Sequence, residues 1–79
     1  MQIVEVGIKL PYREKGIILS RILEEIRGRI KDIHFLPPDS AGMSEIRIEV
    51  VENNPHPLLG KLRKMIKNGK LSFRILSEA

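Results

Sequence analysis

Residues 45–50 read EIRIEV, a stretch in which charged and apolar residues alternate strictly. Alternation with a period of two puts the apolar side chains on one face, so this stretch predicts a half-buried β-strand. It follows a turn-forming segment, PPDSAG at 37–42, and residues 31–36 before that turn also alternate. The sequence therefore predicts a β-hairpin near the middle of the chain.

The part of the chain before this hairpin predicts a strand and then a helix. Residues 4–10 alternate between apolar and polar positions as far as Pro11, which cannot donate to a strand ladder. Segment 11–16 (PYREKG) is then a polar loop, and from Ile17 the apolar period becomes helical, with Gly28 as a stop signal. The apolar stripe of this helix comprises Ile18, Leu19, Ile22, Leu23, Ile26 and Ile30.

The part after the hairpin predicts a second helix and a last strand. The asparagines at 53–54 offer N-caps, and a proline at 55 or 57 suits the first helical position. Gly69 is expected at the C′ position of this helix, and residues 71–75 alternate as a strand. The apolar stripe of the helix comprises Leu58, Leu59, Leu62, Met65 and Ile66.

The order βαββαβ is that of the ferredoxin-like fold. Right-handed crossovers place both helices on one face of a four-stranded antiparallel sheet, which gives an α+β two-layer sandwich formed by a single domain, 1–79. The core is expected to bury Val6, Ile8, Ile22, Ile26, Ile48, Leu62 and Phe73. The open face of the sheet is expected to carry Ile3, Glu5, Gly7, Lys9, Asp32, His34, Arg47, Glu49, Val51, Ser72, Arg74 and Leu76.

This predicted open face is mixed in charge and contains no phenylalanine, tyrosine or tryptophan. RNA-binding domains of the same topology stack bases on aromatic side chains of the two central strands, so this face has no platform for base stacking. Glu5 is instead expected to form a cross-strand ion pair with Arg47 or Arg74.

Composition excludes several classes of protein. A chain of 79 residues that is 42% hydrophobic and 30% charged fits a soluble globular domain. No apolar run approaches the ~18 residues of a membrane span, so a cytoplasmic protein with no membrane partner is expected. The absence of cysteine excludes disulfides, thiol catalysis and cysteine-based metal sites. Twelve isoleucines, a single glutamine and many Glu, Lys and Arg residues are typical of proteins from hot environments.

The loop before the first helix is the main candidate for a binding site. A helix start presents unpaired N–H groups and a partial positive charge, which together favour anions. Arg13 and Lys15 add charge, Gly16 lets a ligand approach the backbone, and Tyr12 could cover a ligand or donate a hydrogen bond. The alternative is a plain surface loop in which Glu14 or water satisfies the helix end.

The second candidate is a basic cluster near the end of the chain. The net charge is +4, and residues 53–79 contain six Lys/Arg against one Asp/Glu, compared with eight against nine in residues 1–52. The cluster could bind nucleic acid or an acidic protein, with strongly salt-dependent affinity, or it could be the solvated face of an amphipathic helix. Its members are Lys61, Arg63, Lys64, Lys67 and Lys70.

Neither catalysis nor metal binding is predicted. His34 and His56 have no partner at the spacing of a zinc site, and the serines do not assemble into a Ser–His–Asp constellation. Small ferredoxin-like phosphatases use an arginine in the first loop, and Arg13 lies in the corresponding loop of this chain. The chain lacks, however, the glycine–valine–glutamine–glycine loop of those enzymes. We therefore expect no enzymatic activity, no cofactor and no metal.

Two segments of the chain resemble a known family. Residues 16–19 (GIIL) open the first helix and residues 28–33 (GRIKDI) enter the second strand. Together with the βαββαβ order, they resemble the ACT domain, a regulatory module of amino-acid metabolism. Lys15 stands where the family has proline, and Arg29 where an asparagine often helps to bind the effector.

The resemblance implies a non-catalytic homodimeric module, or one docked on a partner enzyme. Such a module binds a small effector, for instance an amino acid, at a subunit interface near the first loop. The ligand-binding residues expected on this basis are Tyr12, Arg13, Lys15, Gly16, Ile17 and Arg29.

Overall fold

The computed structural model describes residues 2–78, and the side chains of residues 2–76; Met1 and Ala79, the ends of the predicted 1–79 domain, lie outside this range. The strands are β1 (Gln2–Pro11), β2 (Ile30–Phe35), β3 (Met43–Val51) and β4 (Lys70–Glu78). The helices are α1 (Lys15–Ile26) and α2 (Pro55–Met65), and a short 3-10 helix (Tyr12–Glu14) joins β1 to α1. The strands form one antiparallel sheet in the order β2-β3-β1-β4. This confirms the predicted ferredoxin-like α+β fold.

The core lies between the sheet and the two helices. The central strands β1 and β3 each turn an apolar row towards the helices, because alternate residues of a strand share a face. Each large aliphatic side chain buried there stabilises the fold by about 1.5–3 kcal/mol. The predicted core residues that the structure confirms as buried are Val6, Ile8, Ile22, Ile26, Ile48 and Leu62.

Phe73 is the exception among the predicted core residues. It pairs with Val6 and so lies on the helix side of the sheet as expected, but its side chain remains 37% exposed. The reason is its position on β4, an edge strand that the helices cover incompletely. The Phe73 ring meets the ring of His56 edge-on, with 6.1 Å between the ring centroids.

The boundaries of α1 differ from the prediction at both ends. The segment predicted as a loop up to Gly16 folds into the 3-10 helix and the first turn of α1, which begins at Lys15. Ile30 belongs to β2 rather than to the helical stripe. Gly28 is confirmed as the stop signal, since it adopts φ +86°, a left-handed conformation that glycine tolerates best.

Gly69 does not cap α2 as predicted. The helix ends at Met65, and its C-cap residue, Ile66, is already extended. Gly69 instead allows the connection to β4 to pass close to β1, because a Cβ atom at this position would lie 2.0 Å from the carbonyl oxygen of Lys9. The glycine is therefore required by a close backbone approach, not by a helix end.

The predicted hairpin between β2 and β3 is present, and Asp39 organises its turn. The Asp39 carboxylate accepts hydrogen bonds from the backbone N–H groups of Ala41 (2.9 Å) and Met43 (3.0 Å). Lys9 approaches the same carboxylate at 3.4 Å. The bond from Met43, followed by that from Ala41, lowers the pKa of Asp39 below its ordinary value.

The open face carries mixed charge, as predicted. Glu5 accepts a hydrogen bond from Arg74 Nε at 3.0 Å, which confirms one of its two predicted partners. Arg47 instead bonds Glu45 on its own strand, at 2.7 Å. Neither helix among the described residues is long and apolar enough to cross a membrane.

Candidate functional site

A groove of about 270 Å³ lies between the start of α1 and the end of α2. Ile17 and Ile18 from α1 and Met65 from α2 form its apolar floor. Ile18 is buried in the core, whereas Ile17 leaves 66% of its surface exposed. Floors of this kind hold the apolar part of a ligand, while polar groups on the rim fix its orientation.

The rim of this interhelical groove is polar and mainly basic. Arg13, Arg21 and Lys67 bring cations to it, and Glu14 and Asn68 bring a carboxylate and an amide. Asn68 Nδ2 lies 3.5 Å from each carboxylate oxygen of Glu14, a long contact across the groove end. With cations in excess, the groove favours an anionic ligand.

The residues predicted around the first loop fall into two separate groups in the structure. Arg13 and Ile17 line the interhelical groove. The ammonium group of Lys15 lies 5.6 Å from the ring centroid of Tyr12 and 5.3 Å from that of Phe35, at the end of β2. These are cation–π distances, so half-buried Lys15 forms a separate cluster with the exposed rings of Tyr12 and Phe35.

Gly16 and Arg29 do not line the groove. Gly16 is exposed in the first turn of α1, with open space where a Cβ atom would lie. Arg29 follows the other end of α1, whose 12 residues span about 18 Å at 1.5 Å per residue. There it pairs with Glu52 and donates to the backbone oxygen of Glu25 at 3.1 Å. The structure therefore does not bring Arg29 to the first loop.

The predicted basic cluster is dispersed. Lys61 pairs with Glu25 of α1 at 3.1 Å, Lys67 belongs to the interhelical groove, and Lys70 lies in β4. Two exposed cations remain on the last turn of α2, Arg63 and Lys64.

The open face brings together three residues that the sequence does not space as metal ligands. His34 Nε2 lies 3.0 Å from Glu49 Oε2 and 3.3 Å from Asp32 Oδ2. The hydrogen bond with Glu49 and then the charge of Asp32 raise the pKa of His34 above its ordinary value. The sequence placed all three residues on one face, but the register that joins β2 to β3 cannot be read from spacing along the chain.

Comparison with known proteins identifies similar folds. No protein-family model and no curated protein matches the sequence. A de novo designed protein, Foldit4, has 20% identity and a TM-score of 0.66, over 99% of this chain and 98% of the designed one. An unknown protein from Galdieria sulphuraria has 16% identity and a TM-score of 0.74, over 99% of this chain and 46% of its own. The likeness shows the fold alone.

A third similar structure is a formyltetrahydrofolate deformylase from Pseudomonas putida. It has 15% identity and a TM-score of 0.67, over 96% of this chain and 29% of the deformylase. The chain thus spans less than half the length of either natural protein. A ferredoxin-like domain of this size occurs as a part of larger proteins, one of them an enzyme.

Proposed function

We propose that this domain is a non-catalytic regulatory module that binds a small anion with an apolar portion, such as an amino acid, in the interhelical groove. The observation that carries the proposal is the convergence of Arg13, Arg21 and Lys67 around an apolar floor. Arg13 and Ile17 are the members of the predicted ligand set that line this groove.

The groove offers complementary groups for each part of such a ligand. Guanidinium groups bind a carboxylate through two parallel hydrogen bonds, which fixes its orientation as well as its charge. Glu14 can accept a hydrogen bond from a ligand ammonium group. An apolar ligand side chain would cover Ile17 and remove its exposed surface from water, which is favourable. The resemblance to ACT domains points to the same class of ligand.

The proposal includes self-association or docking on a partner enzyme. The edge strand β4 exposes a run of large apolar side chains, Phe73 at 37%, Ile75 at 48% and Leu76 at 40%. Exposed edge strands with apolar side chains pair readily with another chain. A closed twofold dimer is the commonest way to cover such an edge.

A thermal-shift screen tests ligand binding directly, because a ligand that binds only the folded state raises its stability. The screen uses the free amino acids, short-chain carboxylates, nucleotides and inorganic phosphate against the full chain. We expect stabilisation by compounds that combine a carboxylate with an apolar group. Arg13→Ala and Lys67→Ala should each weaken binding at least about tenfold, whereas Lys64→Ala, an exposed cation outside the groove, should not.

Three results would contradict this proposal. The first is a screen in which no small anion stabilises the protein. The second is loss of binding in Gly16→Val with no effect of Lys67→Ala, which would place the ligand on the backbone at the helix start. The third is salt-sensitive binding of DNA or RNA that the Arg63→Glu/Lys64→Glu double variant abolishes. Those two residues separate the nucleic-acid hypothesis from the groove, since Lys67 belongs to the predicted basic cluster and also lines the groove.

A further inference from the structure

The cluster of Asp32, His34 and Glu49 has the dimensions of a metal site. Protein ligands lie about 2.0–2.2 Å from a zinc ion, so two ligand atoms are about 3.0 Å apart at a right angle and about 3.4 Å apart at a tetrahedral angle. His34 Nε2 lies 3.0 Å from Glu49 Oε2 and 3.3 Å from Asp32 Oδ2. The three ligand atoms all lie within 4.8 Å of one another. Two of the three separations therefore already match those between ligands of one ion.

A β-bulge in β2 creates this arrangement. Ile30 pairs with Val50, but Asp32 rather than Lys31 pairs with Glu49, so the register shifts by one residue. Because of the shift, the apolar residues of β2 face the core on both sides of the bulge, while Asp32 and His34 face outwards beside Glu49. Bulges often re-aim side chains at functional sites in this way.

Among the side chains that the structure describes, no lysine or arginine forms an ion pair with either carboxylate of the cluster. Oδ1 of Asp32 accepts a hydrogen bond from the backbone N–H of Ile33 at 2.8 Å, and its other oxygen faces His34. Within residues 2–76, the only ion pairs of Asp32 and Glu49 are those with His34. The neighbouring arginine of the face, Arg47, is engaged by Glu45. A cation at the centre of the cluster would be attracted by two negative charges.

We propose that Asp32, His34 and Glu49 form a binding site for a divalent transition-metal ion, best matched by Zn²⁺. One imidazole nitrogen and two carboxylate oxygens are a ligand set that Zn²⁺ accepts, whereas Mg²⁺ and Ca²⁺ prefer oxygen ligands. Three protein ligands leave a coordination position for water or for a group from another molecule. The cluster lies on the open face of the sheet and the interhelical groove on the helix side, so this proposal does not depend on the proposed function.

Metal titration of the full, untagged chain, first stripped with a chelator, tests the proposal. Co²⁺ serves as a spectroscopic probe through its visible absorption, and Zn²⁺ is then added in competition. We expect a saturable Co²⁺ signal that Zn²⁺ displaces and that an excess of Mg²⁺ does not. His34→Ala should abolish the signal, and Asp32→Asn and Glu49→Gln should each weaken affinity at least about tenfold.

His56→Ala is the matched control, because it removes the other histidine of the chain, which contacts Phe73 rather than the cluster. It should bind Co²⁺ as the wild type does. The side chains of His34 and Asp32 are 50% and 56% exposed, so their variants should fold, and far-ultraviolet circular dichroism checks this. A wild-type protein that gives no saturable Co²⁺ signal, or a folded His34→Ala variant that binds as tightly as wild type, would overturn the assignment.

Discussion

Replacing Gly69 by alanine should strongly destabilise the domain, although the change adds only one methyl group. That carbon would lie 2.0 Å from the carbonyl oxygen of Lys9 and 3.0 Å from both Ile66 Cγ2 and Leu10 Cδ2. The two side chains can move slightly, but the Lys9 carbonyl belongs to β1, which is hydrogen-bonded on both sides. Overpacking typically costs about 1–3 kcal/mol, and a backbone obstacle in a central strand places this variant at the upper end.

The expected loss of about 3 kcal/mol is large for a domain of this size. At roughly 0.05–0.15 kcal/mol per residue, the total stability should be about 4–12 kcal/mol. Urea unfolding followed by circular dichroism measures the difference in the free energy of unfolding, provided that the slope of this free energy against urea concentration is the same for both proteins.

Gly60→Ala is the control for this prediction. Gly60 lies in the middle of α2, where a Cβ atom would meet no atom of another described element within 4 Å. Alanine in a helix interior is more favourable than glycine, so this variant should gain about 0.5–1 kcal/mol. The same chemical change should thus have opposite signs at the two positions. A Gly69→Ala protein within about 1 kcal/mol of wild type would show that the chain does not pass β1 as closely as described.

Four further predictions concern the core, the hairpin and the assembly. Ile48→Ala should lower the free energy of unfolding by about 2–5 kcal/mol in the same urea assay. Ser44→Ala should leave it unchanged or raise it by about 1 kcal/mol, because the buried Ser44 hydroxyl has no hydrogen-bond partner among the residues that the structure describes. The pKa of Asp39 in the folded state lies below its ordinary value of 3.8, so the Asp39 carboxylate should stabilise the fold fully above pH 3.8. This stabilisation should be lost as the pH falls through the folded pKa, and Asp39→Ala should flatten the acid dependence of the free energy of unfolding. Light scattering at micromolar concentration should report about twice the monomer mass of 9.0 kDa, and a monomer would remove the proposed self-association.

The fold could be predicted because hydrophobic periodicity reports which side of an element is buried. Val6, Ile8 and Ile48 alternate with charged or small residues on the two central strands, where nearly every apolar position is in fact covered. The same periodicity on β4 marks the correct face, but it does not report how far the helices extend over an edge strand. Phe73 was therefore predicted as buried although it is not.

The candidate site was only partly predictable, because spacing along the chain does not report distance across elements. Arg13 and Ile17 could be predicted because they are close in sequence, Arg13 in the 3-10 helix and Ile17 in the first turn of α1 that follows it. Lys67 lines the same groove from the segment that follows α2, a placement that depends on how the two helices pack. Arg29 was placed near the first loop through a family resemblance, yet the full length of α1 separates the two.

The two proposed sites follow from the same property of the fold. Both helices pack on one face of the sheet, so the ends of the helices create grooves on that side, and the other face keeps its polar side chains in solvent. On the helix side, Arg13, Arg21 and Lys67 converge between the start of α1 and the end of α2, and this concentration of positive charge favours an anionic ligand. On the open face, the bulge at Lys31 decides which β2 side chains face Glu49. In a regular ladder continued from the Ile30–Val50 pair, Lys31 would pair with Glu49, and Asp32 and His34 would turn towards the core. The proposed metal site therefore depends on a bulge at a residue that does not itself touch the ion.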